Sequence, residues 1–142
     1  MNNKRTYLAL DVGERRIGVA IADPSVRIAV AYDTIEVDGS ELEQITQLIM
    51  SERVGVVVVG YPRNQSGEPT AQTTYVERFA TQLTDIAPRL AFQDESLTSV
   101  QAEEYLRAQG KPYSKGAIDA VAASIILQDY LETHYDLSLI HI

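Results

Sequence analysis

The chain contains no cysteine among its 142 residues. Disulfide bonds and thiolate-ligated metal sites are therefore excluded, and a reducing, cytoplasmic location is expected. Basic residues are also scarce, since 12 Lys and Arg stand against 20 Asp and Glu and the net charge is −8. A general nucleic-acid binder relies on clustered Lys and Arg, so the overall charge alone disfavours that class of protein.

Long apolar runs are absent as well. No stretch approaches the roughly 20 apolar residues that cross a bilayer, and the first residues lack a signal-peptide core, so no membrane association is expected. The length and the 45% apolar fraction predict a single domain with a substantial core over residues 1–136. Residues 137–142 are apolar, follow a polar helix end and read like the translation of a common sequencing adapter. They are predicted to be a non-native tail, with a short docking tail as the alternative.

Three closely spaced segments at the start of the chain have the pattern of β-strands. They cover residues 6–12, 16–23 and 27–37. Because the connections between them are short, we expect the strands to pair as an antiparallel meander. Ser40 and Glu43 then have the spacing of a capping box, which predicts the start of a helix.

The rest of the chain alternates between strand and helix patterns. A continuous β-branched run predicts a buried strand, which the segment Gly60-Tyr61-Pro62 should end. The order βββαβαβα, with a further C-terminal helix, predicts an α/β domain of ribonuclease H-like arrangement, with a five-stranded mixed sheet and helices on both faces. The remaining predicted elements are strands at 54–59 and 90–92, a helix near 70–86, a helix capped by Thr98 and a last helix over about 115–133.

Carboxylates occur at the predicted ends of two strands and on a helix that should cross the same edge of the sheet. Asp11 closes the first strand, and a carboxylate at the end of a buried strand is costly unless it is paired or holds a cation. Asp94 and Glu95 follow the fifth strand and should reach the same edge, but successive residues point in opposite directions, so at most one faces Asp11. Asp119 lies on a small, apolar helix face that should pack on the sheet and bring this acid to the edge.

Three converging carboxylates without His or Cys ligands predict a hard cation with oxygen ligands, Mg²⁺ or Mn²⁺. Other roles stay open for each acid. Asp11 could cap the tight turn before Gly13, Asp119 could interact with the dipole of its helix, and the Asp94–Glu95 pair could be ordinary loop charges. Five basic residues could line a phosphate path or be solvated surface charges: Arg15, Arg16, Arg63, Lys111 and Lys115.

Four ordered segments resemble the YqgF/RuvX family of Holliday junction resolvase-like proteins, also described as pre-16S rRNA nucleases. They are residues 8–20, the Gly-Tyr-Pro-Arg-Asn loop from Gly60, residues 94–99 and the helix at 118–131, and the resemblance covers about residues 6–132. It implies a ribonuclease H-like fold and metal-dependent hydrolysis of phosphodiester bonds. It also implies that the catalytic and metal-binding acids are Asp11, Glu95 and Asp119, which selects Glu95 over Asp94.

The resemblance further implies a nucleic-acid partner. The 5′ end of precursor 16S rRNA is favoured, structured DNA is the alternative, and ribosomal precursor particles are further expected partners. We expect a monomer or a homodimer, and a dimer would suit a junction because symmetric ligands favour two-fold enzymes. The expected contacts to nucleic acid are Arg15, Arg16, Arg63, Asn64, Lys111 and Lys115.

Three departures from the family pattern bear on the affinity for nucleic acid more than on the fold. Ser96 stands where the family usually has Arg, Glu14 replaces a small polar residue, and only Lys111 and Lys115 precede the last helix. Ser96 and the acidic composition motivate one alternative to a nuclease, a non-catalytic nucleic-acid-binding factor of ribosome assembly or transcription. A DNA four-way-junction resolvase is a second alternative. An actin-like ATPase or sugar kinase also has Asp-x-Gly after a strand, but it needs two such domains and a second phosphate loop.

Overall fold

The computed structural model describes residues 5–62, 68, 70–95 and 98–140, with the backbone alone at 98, 99 and 135–140. In this part of the chain, the predicted order βββαβαβα with a further C-terminal helix is confirmed. The strands are β1 (Thr6–Val12), β2 (Arg16–Ala22), β3 (Val30–Glu36), β4 (Val54–Pro62) and β5 (Leu90–Glu95). The helices are α1 (Glu41–Ser51), α2 (Ala71–Leu83), α3 (Thr98–Ala108) and α4 (Lys115–Ile140).

The strands form one mixed sheet in the order β3-β2-β1-β4-β5. The first three strands pair antiparallel, as predicted, whereas β4 pairs parallel with both β1 and β5. The carboxyl ends of β1, β4 and β5 therefore meet at one edge of the sheet. Asp11 is the last residue but one of β1, and Glu95 is the last residue of β5, so both lie at this edge.

Different helices cover the two faces of the sheet, as the sequence predicts. On one face Leu8, Leu10 and Val12 join a core with side chains of α1 and α2. On the other face Ala9 packs in a core with α4. Since side chains alternate along a strand, Asp11 shares the α4 face with Ala9. Small residues dominate the strand side of that second core: Ala9, Ala20, Ala22 and Val58.

The start of α2 is tied to the same edge of the sheet. Thr70 is the N-cap of α2 and forms a capping box with Thr73. The buried Thr73 hydroxyl also donates to the carbonyl of Pro62 at 2.6 Å. The Gln72 side-chain amide donates to the carbonyl of Val12 at 2.9 Å. These bonds hold the ends of β1 and β4 together next to Asp11.

Three local predictions are wrong. The segment Gly60-Tyr61-Pro62 does not follow β4 but forms its last three residues, and β5 continues through Asp94 to Glu95. The two extensions pair with each other, so ladder hydrogen bonds outweigh the low strand propensity of glycine and acidic residues. Ser40 forms no side-chain cap: its hydroxyl oxygen accepts from the side-chain amide of Gln44 at 2.8 Å, and the hydroxyl donates to Asp38 Oδ1 at 2.6 Å.

Other element boundaries differ by a few residues. β3 begins at Val30 rather than at 27, and α2 ends at Leu83 rather than at 86. The backbone of α4 continues to Ile140. The non-native origin of residues 137–142 stays a prediction. Among the described helices, none is both long enough and apolar enough to cross a bilayer.

Candidate carboxylate site

Asp11 has a glycine beside it on each neighbouring strand. It pairs directly with Gly18 of β2. On the other side Leu10 pairs with Val59, so Gly60 of β4 lies next to Asp11. Because neither glycine carries a side chain, the Asp11 carboxylate stands in a gap on the α4 face, open to groups from both directions.

Gly18 allows α4 to approach the sheet closely. A Cβ atom at this position would collide with the backbone carbonyl of Asp119 and lie 2.9 Å from the backbone nitrogen of Ala120. Ala123 and Ile126, on the same helix face as Asp119, are fully buried, as the sequence predicts. The contact at Gly18 therefore sets the distance between helix and sheet and holds Asp119 near the edge.

Gly60 leaves space for the side chain of Glu95. A Cβ atom on Gly60 would lie 3.1 Å from Glu95 Cδ and 2.7 Å from Ile126 Cδ1. The Glu95 carboxylate thus lies over Gly60, between β5 and Asp11. Because side chains alternate along β5, the side chain of Asp94 points away from that of Glu95. Asp94 is exposed, whereas Glu95 is half-buried. The structure therefore brings Glu95, rather than Asp94, to Asp11.

Burial and the two neighbouring acids both raise the pKa of Asp11. Burial raises the pKa of the Asp11 carboxyl well above its usual range, and the neighbouring charges of Glu95 and Asp119 raise that pKa further. A hydrogen bond with Glu95 acts in the same direction. Asp11 nevertheless keeps part of its surface open to solvent. The site is thus a group of oxygen donors whose mutual repulsion a cation would relieve.

Asp119 has a cationic side chain as its partner. Arg16 Nε donates to Asp119 Oδ2 at 2.6 Å, and 30% of the Arg16 and 24% of the Asp119 side chain are exposed. This hydrogen bond, with the charge of Asp119, raises the pKa of Arg16. Within the described residues, no three Asp, Glu, His or Cys side chains are grouped closely enough to ligate a metal as they stand. Asp11 and Glu95 are in hydrogen-bond contact, while Asp119 is engaged by Arg16.

The other roles considered for the acids fit the structure less well. The turn after β1 is closed by its backbone, since the Gly13 N–H donates to the Arg16 carbonyl at 3.0 Å. Asp119 is the fifth residue of α4, and the helix-dipole effect falls off within the first turn. Asp94 and Glu95 belong to β5 rather than to a loop.

The basic residues predicted to contact nucleic acid have different surroundings. Arg16 is half-buried and paired with Asp119. Three others are exposed: Arg15, Lys111 and Lys115. Two of the predicted contacts, Arg63 and Asn64, lie outside the described residues. Ser96, one of the departures from the family pattern, also lies outside them.

The sequence reasoning missed the roles of Gly18 and Gly60. Both glycines lie inside apolar strand segments, where glycine weakens a strand and often marks the close approach of another backbone or group. That placement is the signal that could have identified them. Gly13 serves the turn between β1 and β2, where a Cβ atom would lie 2.8 Å from the carbonyl oxygen of Arg16.

Comparison with known proteins finds similarity over nearly the whole chain. The family model described as "RuvX: Holliday junction resolvase" matches residues 5–133. A Chloroflexus aurantiacus protein named "Putative pre-16S rRNA nuclease" is 49% identical over 135 residues, covering 92% of this chain and 88% of the relative. A protein of the same name from Gloeothece citriformis is 39% identical and covers 100% of this chain and 97% of the relative. The family resemblance predicted from the sequence is confirmed.

A solved structure is similar in fold. The structure of Thermus thermophilus RuvC in complex with a Holliday junction substrate matches with a TM-score of 0.54, covering 92% of this chain and 96% of that one. Sequence identity in this comparison is 14%, so the likeness concerns the fold alone. It confirms the predicted ribonuclease H-like class.

Proposed function

The chain belongs to the RuvX family, and on that premise we propose that it is a metal-dependent nuclease that hydrolyses phosphodiester bonds. One observation carries the proposal: three acids from separate elements meet at one edge of the sheet. Glu95 lies over Gly60 beside Asp11, and the contact of α4 with Gly18 holds Asp119 at the same edge. Acids brought together at a partly buried edge are costly because of their repulsion and lost hydration, and a cation would offset that cost.

Each of the three acids has a distinct part in this site. Asp11 is the central residue, since both other acids raise its pKa, and it would anchor the ion. Glu95 reaches it over Gly60, and Asp119 is held at the edge by the contact of α4 with Gly18. Carboxylate oxygens suit Mg²⁺ or Mn²⁺. When bound, such an ion supplies the Lewis-acid chemistry for attack of water on a phosphodiester.

The substrate we propose is the 5′ region of precursor 16S rRNA, free or within ribosomal precursor particles in the cytoplasm. The names of the relatives support this choice over four-way DNA. Exposed Arg15, Lys111 and Lys115 would contact the phosphate backbone, and Arg63 and Asn64 stay predicted contacts. The protein would act as a monomer or a homodimer.

A cleavage panel tests the proposed function. The purified protein is incubated with Mg²⁺, with Mn²⁺ or with EDTA, on precursor 16S rRNA and on a four-way DNA junction. We expect cleavage of the RNA with either ion and none with EDTA. Cleavage of the junction alone would favour a resolvase. Metal-independent binding of RNA without turnover would contradict a nuclease and favour a non-catalytic assembly factor.

Gly60→Ala is expected to lower the affinity for metal clearly while lowering the stability of the fold only slightly. The new methyl group would press on the carboxylate of Glu95 and on the end of the Ile126 side chain, both of which can rotate away. Displacing a ligand from its supported position typically lowers metal affinity by about 10- to 100-fold. Calorimetric titration with Mn²⁺ and thermal unfolding in EDTA measure the two effects. An unchanged Mn²⁺ affinity would contradict the placement of Glu95 in the site.

A further inference from the structure

The position of Arg16 suggests a role other than direct steering of substrate. Arg16 is the first residue of β2, and its guanidinium bonds to Asp119 across 103 positions of the chain. Its cross-strand partner on β3 is Glu36, whose charge also raises the pKa of Arg16. The side chain therefore lies between the carboxylate site and a second acid at the surface.

Arg16 and a divalent ion would compete for the negative charge of the Asp119 carboxylate, of which Arg16 already occupies Oδ2. The bond between Arg16 Nε and Asp119 Oδ2 is a short, charge-assisted one. A divalent ion on the same carboxylate would place two positive groups side by side at a partly desolvated edge, where charges interact more strongly than in water. Since Arg16 is 30% exposed, its guanidinium has a route away from Asp119 towards solvent and Glu36.

We propose that Arg16 is the resident counter-cation of Asp119, that a divalent ion displaces it, and that the released guanidinium then binds a phosphate of the substrate. This inference rests on the proposed function, because it takes Asp11, Glu95 and Asp119 as the metal ligands. An arginine suits the second step, since its planar fork of donors matches a phosphate. Metal and phosphate both draw Arg16 from Asp119, so each strengthens the binding of the other.

Whether Arg16→Ala raises or lowers the affinity for Mn²⁺ tests the displacement of Arg16 by the metal. Mn²⁺ is titrated calorimetrically into the wild-type chain, Arg16→Ala and Arg15→Ala at one ionic strength. We expect Arg16→Ala to bind Mn²⁺ about fivefold more tightly, as befits the loss of a partly exposed ion pair that competes for Asp119. Arg15→Ala removes the same charge from the neighbouring, exposed position and should change the affinity less than about twofold. Weaker or equal binding by Arg16→Ala would show that Arg16 does not compete with the metal.

A second measurement observes the guanidinium itself. In nitrogen-15 spectra of the full chain, the Nε–H signal of Arg16 is identified by its absence in Arg16→Lys. We expect this signal to shift when Mg²⁺ is added to the wild-type protein and to stay unchanged in Asp11→Asn. A signal that is unaffected by saturating Mg²⁺ would overturn the displacement.

The outcomes separate this inference from the proposed function. If the wild-type chain binds Mn²⁺ and Asp11→Asn abolishes that binding, the metal site stands and the Arg16 variants decide the inference alone. If the wild-type chain binds no Mn²⁺, or binds it equally after Asp11→Asn, the proposed function and the inference are both refuted.

Discussion

Replacing Asp11 by asparagine is expected to lower metal-dependent cleavage by about a thousandfold or more, while the metal-free protein becomes more stable. The loss corresponds to several kcal/mol of transition-state stabilisation that a correctly held metal supplies. Stability rises because the neutral amide has the same shape but removes a carboxyl group that burial, Glu95 and Asp119 all hinder from ionising. A substitution that stabilises a protein and inactivates it is typical of a functional site.

The gain in stability should depend on pH in a defined direction. The unfolded chain releases the Asp11 proton near pH 4, whereas the folded protein, with its raised pKa, retains it to higher pH. Over that range the folded state binds more protons, so the free energy of unfolding falls as pH rises. The advantage of Asp11→Asn should therefore be small near pH 4 and grow towards neutral pH in EDTA.

Single-turnover cleavage and thermal unfolding across this pH range measure both effects. Asp94→Asn is the matched control, because Asp94 lies beside Glu95 on the same strand but is exposed. It should change cleavage and stability little. Cleavage retained by Asp11→Asn would rule Asp11 out as a metal ligand. Lower stability of this variant at neutral pH in EDTA would show that the Asp11 carboxylate is well compensated in the folded protein.

Replacing Gly18 by alanine is expected to destabilise the fold by about 3 kcal/mol and to lower metal affinity and cleavage with it. The added methyl group would meet the backbone of Asp119 and Ala120, which cannot rotate away as a side chain can. Overpacking in a core typically costs about 1 to 3 kcal/mol, and a collision with a helix backbone belongs at the upper end. Relief requires α4 to move outwards, which carries Asp119 away from Asp11.

Gly116→Ala, in the helix α4 that packs on Gly18, provides the control. A Cβ atom there would lie 3.5 Å from atoms of Thr34, an ordinary contact, so the sheet already has room for it. We expect no loss of stability, and a gain of up to about 1 kcal/mol from helix propensity. Urea unfolding of the two variants, with Mn²⁺ affinity measured for each, distinguishes them. Equal stability of Gly18→Ala and Gly116→Ala would refute the close approach of α4 at Gly18.

The sequence predicts the fold class and the candidate acids, because strand and helix periodicities, carboxylates at strand ends and an acid on an apolar helix face are local patterns. The choice between Asp94 and Glu95 needed the family resemblance, since the polar end of β5 reads as a loop until its pairing with β4 is known. The role of Gly60 depends on the same register. The bond between Arg16 and Asp119 joins residues 103 positions apart, so the sequence alone could not distinguish a phosphate contact from an acid's partner.

The contact between Gly18 and α4 would also link the proposed catalysis to cooperative folding. The helix that carries Asp119 supplies Ile126, Leu127 and Leu131 to one of the two cores, so its docking and the assembly of the site are a single event. Partial opening that releases α4 would dissolve that core and the acid cluster together. Native-state hydrogen exchange at the buried turns of α4 should consequently occur only through global unfolding. The remaining cleavage activity should then be proportional to the fraction of protein that is folded.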